Sequence, residues 1–563
     1  MKSKHVISLI IFILLTLIIT FPLILNLTVL TSVGKEEYLL SYILNWNIHA
    51  LTHFPSRIFQ MPIFYPYQNA LAFSDPLFTS SILALPFVKI FNQPFLAYNF
   101  NLILSFILNG FFTYLIIYQL TKNWWAGLVS GVLFSFSIGK IDSLAHLQIL
   151  TTYWIPLGIY FFLQFVNKKL NKYALLTALC FILQILNTIF LGYVYIFTLA
   201  IFALTYFFKK KITRKQLLKL FQYIFSALVL IAIIFIPYLK VSSRWRYTRS
   251  LEDIWAGSSY FLEYLYPTSH SRLETLAHKI IIKQPWPSYL GAAVSILGFI
   301  SLIYLIKNSK KLFKKSFILA SLITVVSGLL MSFGPYFQII KQKPLFSIPL
   351  PYLIAFYLIP GFKSMRVPQR WSHLVLLGLA LLSGIVLSKL ARKIKPGYFK
   401  ILTVFIIFTV IVEIRLPLFK TNVLAKSAIP QVYQWLKDQP SSVVLELPVQ
   451  TWIMPLADLE IQRLHYHSFL FQSNHQFING SSGFEPPDWT KDMSILRTLP
   501  SDSAIEKLKQ LKVELLIVHY QEMEQIYQKD KESLPLKNTL VKIKANQKFQ
   551  KIYQDDQTTV YKL

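Results

Sequence analysis

The chain has 563 residues, 54% of them hydrophobic and 16% aromatic, with a mean hydropathy of +0.50. Several apolar runs approach the roughly 20 residues that cross a bilayer, which excludes an ordinary soluble enzyme and makes this an integral membrane protein. The formal net charge of +31 arises mainly from Lys and Arg at the ends of those runs, where membrane orientation accounts for them without a nucleic-acid partner, and the single Cys180 excludes an intrachain disulfide or a thiolate metal site.

The first run, MKSKHVISLIIFILLTLIITFPLILNL, has a basic start, an apolar core longer than a secretory h-region and no small-x-small cleavage site. It is expected to be an uncleaved first helix, near 6–30, with its N-terminus in the cytoplasm. Further spans are predicted near 97–120, 124–138, 149–167, 172–190, 192–208, 217–238, 289–306, 316–334, 371–390 and 400–417, about eleven in all. An odd number places everything after Arg415 outside. LFTSSILALPFVKIF (77–91) and PLPYLIAFYLIPGF (349–362) read as interfacial or re-entrant segments. The long loops at about 31–96, 139–148, 239–288 and 335–370 fall on the outer side, and the short connections fall inside. From about 421 the charges become balanced and β-branched runs, SSVVLELP and KVELLIVHY, alternate with helix-like segments. The expected architecture is therefore mostly α, a polytopic helical bundle over 1–420 with a small extracytoplasmic α/β domain over 421–563.

The charges fix the topology. Lysines cluster at Lys168/Lys169/Lys172, Lys209–Lys211, Lys307–Lys315 and Lys389–Lys400, on the loops assigned to the cytoplasm. Only nine acids occur in the first 420 positions, and eight of them, Glu36, Glu37, Asp75, Asp142, Glu252, Asp253, Glu263 and Glu274, alternate with those clusters; Glu413 lies alone inside an apolar run. Carboxylates gathered at one outer face are what a base-assisted or metal-assisted transfer there requires.

In the first outer loop Glu36 and Glu37 follow the first span directly, and Asp75 precedes the interfacial segment; each is either a solvated loop residue or part of a site. In the second, SIGKIDSLAHLQILTTYWIPL, Asp142 and His146 are four apart and share a face if the segment is helical. Such a pair holds a divalent cation or forms a base with its orienting partner, or else Asp142 caps a helix and His146 packs on a headgroup. Arg244 and Arg246 interleave with aromatics in RWRYTRSLEDIW, and Lys363, Arg366 and Arg370 crowd GFKSMRVPQRWSH. These suit phosphate oxygens of a lipid-linked ligand, or anchor their loops to anionic lipid. His465 and His467 in LHYHSFLFQ are expected to pack in a turn-rich region; on a strand their spacing would also put both on one face for a metal. No Walker loop, GxGxxG, GxSxG or HExxH is present.

An acid just after the first helix, an FYPY-containing first loop, the short HLQ loop, SFGP, PGFKSMRVPQR, and a tail with VVLELP and NGSSGF together resemble a set of bacterial membrane proteins placed with the GT-C type glycosyltransferases. The likeness covers nearly the whole chain in its order of features. It implies a GT-C fold and transfer of a sugar from a polyprenyl-phosphate donor to an acceptor on the outer face, using acids of the first and second outer loops. By position that role passes to Glu36 or Glu37, Asp75 and Asp142, with His146 beside them. A divalent cation, Mg or Mn, would be held by Glu36 and Asp142, although Lys35-Glu36-Glu37 stands where the commonest pattern has an aspartate pair. Implied partners are membrane lipid, the lipid-linked donor and a glycan, lipid or protein acceptor of the cell envelope, at the cytoplasmic membrane. The alternatives are a transporter or flippase, which would place ionisable groups at the midplane of repeated halves, and a non-catalytic scaffold that displays the tail.

Overall fold

The computed structural model describes every residue except 1, 29, 32–35, 92, 94, 278–287, 309–314, 340–347, 420–422, 425–428, 452–457, 530–542 and 544–548. Lys35 and Lys310, Lys311 and Lys314 of the third lysine cluster thus lie outside the described residues. The chain is mostly helical and multi-pass, and each of the eleven predicted runs forms a helix. Seven are long and apolar enough to cross a membrane, among them Leu96–Thr121, Ile189–Phe208 and Pro368–Leu390; Lys2–Ile19, Asn171–Ile185, Ala292–Lys307 and Ser316–Ser332 are shorter. The two pieces read as interfacial are the helices Phe78–Phe91 and Pro351–Leu358.

The residues group into two compact units, 1–26 with 99–234 and 248–420, and 27–98 with 235–247 and 421–563. In the first, Ser372–Leu390 is apolar all round and buried through Ser388, so it forms the centre of the bundle. Ser316–Ser332, Ala292–Lys307 and Trp124–Ser135 pack against it. At Gly378 a Cβ would meet Ser321 O at 3.0 Å, a close approach that only a small residue permits between membrane helices. The helices Arg214–Ile234 and Pro396–Glu413 are only 22% and 28% buried over their apolar windows, which leaves their outer faces to lipid.

In the second unit the first outer loop is far from irregular. Glu36–His53 is an 18-residue helix with both glutamates in its first turn, where negative charge is favoured. It packs on the helix Asp458–His467, with Tyr42 against Phe471 and Tyr38 against His465. A two-residue strand β1 (Leu30–Thr31) pairs antiparallel with β2 (Val423–Leu424). The tail forms a five-stranded sheet from β3 (Val443–Leu447), β4 (Gln476–Phe477), β5 (Leu515–His519), β6 (Gln550–Gln554) and β7 (Thr558–Lys562), in the order β4-β3-β5-β7-β6. β3 is parallel to β4 and β5; the β5–β7 and β7–β6 pairs are antiparallel, with a register shift in β6 between Lys551 and Tyr553. The FYPY segment of the first loop joins this sheet: Phe64 N–H donates to Asn479 O at 3.1 Å, Tyr65 N–H to Phe477 O at 2.9 Å and Phe477 N–H to Pro62 O at 3.0 Å.

Candidate active site

Asp142 is the predicted residue with the most defined surroundings. The apolar helix of the third span continues through a turn at Phe136 and Ser137 to Ile141, and Asp142 caps it. The chain then tightens through i to i+3 bonds, Ser143 N–H to Lys140 O, Leu144 N–H to Ile141 O and His146 N–H to Ser143 O, before a new helix starts at Leu147. Asp142 and His146 therefore do not share a helical face as the sequence spacing suggested, because the helix that would align them stops between them. His146 sits at the entry to the next helix, half-buried.

The partner of Asp142 comes from far away in sequence. His270 Nδ1–H and Thr268 Oγ1–H both donate to Asp142 Oδ1 at 2.8 Å. Asp142 Oδ2 is buried without a hydrogen-bond partner, and the side chain as a whole is 5% exposed. His270 is held in turn by backbone. Ser271 and Ile414 form an antiparallel bridge, Arg415 N–H donates to His270 O at 2.8 Å and Arg272 N–H to Glu413 O at 2.8 Å. Glu413, the acid inside an apolar run, ends its helix and accepts Tyr289 O–H at 2.9 Å, Ser271 O–H at 3.3 Å and the first N–H of the helix Ala292–Lys307, at 2.9 Å. Burial pushes the Asp142 carboxyl above its usual range; the hydrogen bonds and charge of His270 and Thr268 pull it down, and Glu413 pushes it up again. A buried carboxylate with one oxygen fixed and the other unpartnered has the form of an oriented general base.

The remaining predicted residues divide between the units. Lys363, Arg366 and Arg370 lie in the first, half-buried; the Lys363 ammonium stands 5.6 and 5.5 Å from the ring centroids of Phe356 and Tyr357. Their segment is pinned by Arg249 N–H on Lys363 O at 2.9 Å and Gln369 N–H on Gly257 O at 3.1 Å. In the second unit Glu37 is wholly buried, Glu36 is half-buried and both act electrostatically on the buried Tyr98. Asp75 is half-buried beside Tyr238, whose hydroxyl donates to Ser74 O at 2.7 Å. Arg244 and Arg246 are exposed; the Arg244 guanidinium covers the ring of Trp245, whose indole N–H donates to Asp488 at 3.1 Å. Among the described residues no three His, Cys, Asp or Glu side chains come together to hold a metal ion.

The tail histidines lie on the helix Asp458–His467, not on a strand. His465 stacks on Phe95 with centroids 4.4 Å apart, and burial lowers it to about 4. His467 Nε2 and His519 Nε2 each meet one oxygen of the fully buried Glu446, at 2.7 and 2.9 Å, and Tyr433 O–H donates to it at 2.8 Å. Sequence reasoning passed over Glu446 and gave His270 no role. Neither carries a local signal, since Glu446 lies within a β run and His270 is 128 positions from Asp142.

Comparison with solved structures identifies the architecture. The mycobacterial arabinofuranosyltransferase AftD aligns with all of this chain at a TM-score of 0.55 and 12% identity; this chain spans 40% of its length. The oligosaccharyltransferase AglB of Archaeoglobus fulgidus, solved with an inhibitory peptide and a dolichol-phosphate, aligns with 93% of this chain and 70% of its own at a TM-score of 0.53 and 12% identity. The fold is GT-C-like, as the motifs suggested. The sequence matches none of the curated proteins. The family described as domain of unknown function (DUF6311) matches residues 9–412, and the chain belongs to that family.

Proposed function

We propose that this protein is a membrane glycosyltransferase that moves a sugar from a polyprenyl-phosphate donor to a cell-envelope acceptor at the outer face of the cytoplasmic membrane. The observation that carries the reading is Asp142, whose second carboxylate oxygen is buried and unpartnered at the end of a membrane helix on a GT-C-like fold. An arabinofuranosyltransferase and a dolichol-phosphate-bound oligosaccharyltransferase share that fold, which supports a lipid-linked donor and a glycan or peptide kind of acceptor.

In this reading Asp142 Oδ2 takes the proton of the acceptor hydroxyl while His270 and Thr268 hold Oδ1. The acceptor oxygen then forms its bond to the anomeric carbon as the carbon–oxygen bond to the lipid phosphate breaks, with inversion, and the lipid phosphate leaves with the electron pair. Lys363, Arg366 and Arg370 are assigned to the leaving phosphate, where positive charge lowers the barrier most. Arg244 and Arg246 are assigned to the same ligand's loops, and Glu36, Glu37, Asp75 and His146 to acceptor handling. The N-terminus lies inside, and residues 421–563 form the extracytoplasmic domain.

The test is a transfer assay on purified protein in lipid nanodiscs with a panel of polyprenyl-phosphate sugars and an envelope extract as acceptor. Transfer from at least one donor, abolished in Asp142→Asn, is expected. Wild-type protein that transfers from none of them overturns the reading.

A further inference from the structure

In an open α/β sheet, ligands bind outside the carboxyl ends of the parallel strands, where neighbouring strands send their connections to opposite sides. The tail sheet has such a point. β3 leads through the helix Asp458–His467 to β4 on one side, whereas β5 leads through the helix Tyr520–Lys529 to β6 on the other. The switch falls between β3 and β5, and the chain leaving β3 there continues through Gln450 and Thr451.

The polar atoms gathered at this point are buried and unmatched. Gln450 and Thr451 are each 1% exposed and Glu460 2%. Both amide atoms of Gln450, the hydroxyl of Thr451 and Oε2 of Glu460 lack a hydrogen-bond partner. They are held in one place. Glu460 Oε1 accepts the Gln450 backbone N–H at 3.2 Å, Asn479 Nδ2 at 3.0 Å and Arg463 Nη1 at 3.1 Å, so one oxygen is fixed and the other is presented. Buried polar atoms are paired in the great majority of cases, so four unpaired ones at a topological switch point mark a place where a ligand supplies the partners.

The chemistry selects the ligand class. An anion is disfavoured, since Arg463 is already shared among Glu446, Glu460 and Glu522. Burial raises the Glu460 carboxyl to about 7 against the pull of Arg463, so near neutrality it can accept from a hydroxyl or donate to one. An amide, a hydroxyl and a carboxyl together offer the alternating donors and acceptors that adjacent hydroxyl groups satisfy. We propose that the carboxyl ends of β3 and β5 form a binding site for a neutral, hydroxyl-rich ligand, a saccharide, held by Gln450, Thr451 and Glu460. Binding there is independent of whether Asp142 catalyses transfer.

The full-length protein in nanodiscs is titrated with maltotetraose, cellotetraose, chitotetraose and mannotetraose, and with sodium sulfate as the anionic control, by calorimetry and by saturation-transfer NMR. Saturable binding of at least one saccharide and none of sulfate is expected. Thr451→Val and Gln450→Met should each weaken it by about tenfold or more, the equivalent of one lost hydrogen bond. Both should keep or raise the melting temperature, because each removes a polar atom that has no protein partner. Wild-type protein that binds none of the saccharides overturns the proposal, as does binding that both variants retain.

Discussion

Asp142 uses its two oxygens differently, and that asymmetry separates its stability role from its chemical one. Its folded-state carboxyl is raised above the unfolded value, so the stability linked to it is present at low pH and is lost as the pH rises through the raised value. Asp142→Asn should therefore lower transfer by about 100-fold or more while leaving the melting temperature at neutral pH unchanged or higher, a pairing that parallel activity and thermal-shift measurements would reveal. Glu446 shows the opposite linkage. Burial pushes its carboxyl up, but His467 and then His519 overcome that and hold it well below the usual range. Its contribution is present above the unfolded glutamate value of about 4.3 and is lost as the pH falls towards the folded one. Glu446→Gln should cost roughly 3–5 kcal/mol, the cost of breaking a buried charged pair, and should flatten the acid limb of the melting-temperature profile. Asp142 was legible in sequence as an acid in a polar loop between apolar runs. His270, its orienting partner, was not, because backbone pairing of 271 with 414 places it and nothing near either position announces the other.

At the scale of elements, most apolar runs were read to within a few residues because lipid and core both demand them, but the first helix ends at Ile19 rather than near 30, and polar segments were misread where tertiary contacts set their form. Residues 31–96 were read only as a long outer loop, yet Glu36–His53 is a helix whose Tyr42 and Trp46 pack on Phe471 of the tail. LHYH was considered as a strand because alternation over four residues cannot tell a strand from a helix whose histidines serve different neighbours. The PGFKSMRVPQR segment was picked out for its charge; what fixes its path is Gly257, where a Cβ would stand 2.4 Å from Arg366 O and 3.1 Å from Val367 Cα. Backbone cannot yield as a side chain does. Gly257→Ala should cost about 1–3 kcal/mol and displace the segment, and we expect a raised KM for the lipid donor with a smaller change in kcat, measurable by steady-state assay. Glu274→Gln, in contrast, touches an exposed pair with Arg415 and should stay within about 0.5 kcal/mol and near wild-type activity.

For the whole molecule, the lysine clusters make a prediction about orientation that leaves the site untouched. A reporter fused after Lys211 should be cytoplasmic and one at the C-terminus outside, with protease accessibility in spheroplasts as the check; a cytoplasmic C-terminus would remove the odd-span topology. The change from basic loops to balanced charge near 421 was visible in composition, but the compact unit that holds the tail also takes in 27–98 and 235–247. The joining of the first loop to the tail sheet was not visible, because it is made by main-chain hydrogen bonds that any sequence can supply. That junction bears on how the tail resists self-association. An open sheet offers two rows of unpaired backbone groups to any passing strand. At β6 the register shift between Lys551 and Tyr553 spoils the row, and at β4 residues 62–65 occupy it. Secreted alone, 421–563 would bare the β4 side as an adhesive border, and such a fragment should form oligomers by strand addition that a co-expressed peptide carrying the FYPY segment would suppress.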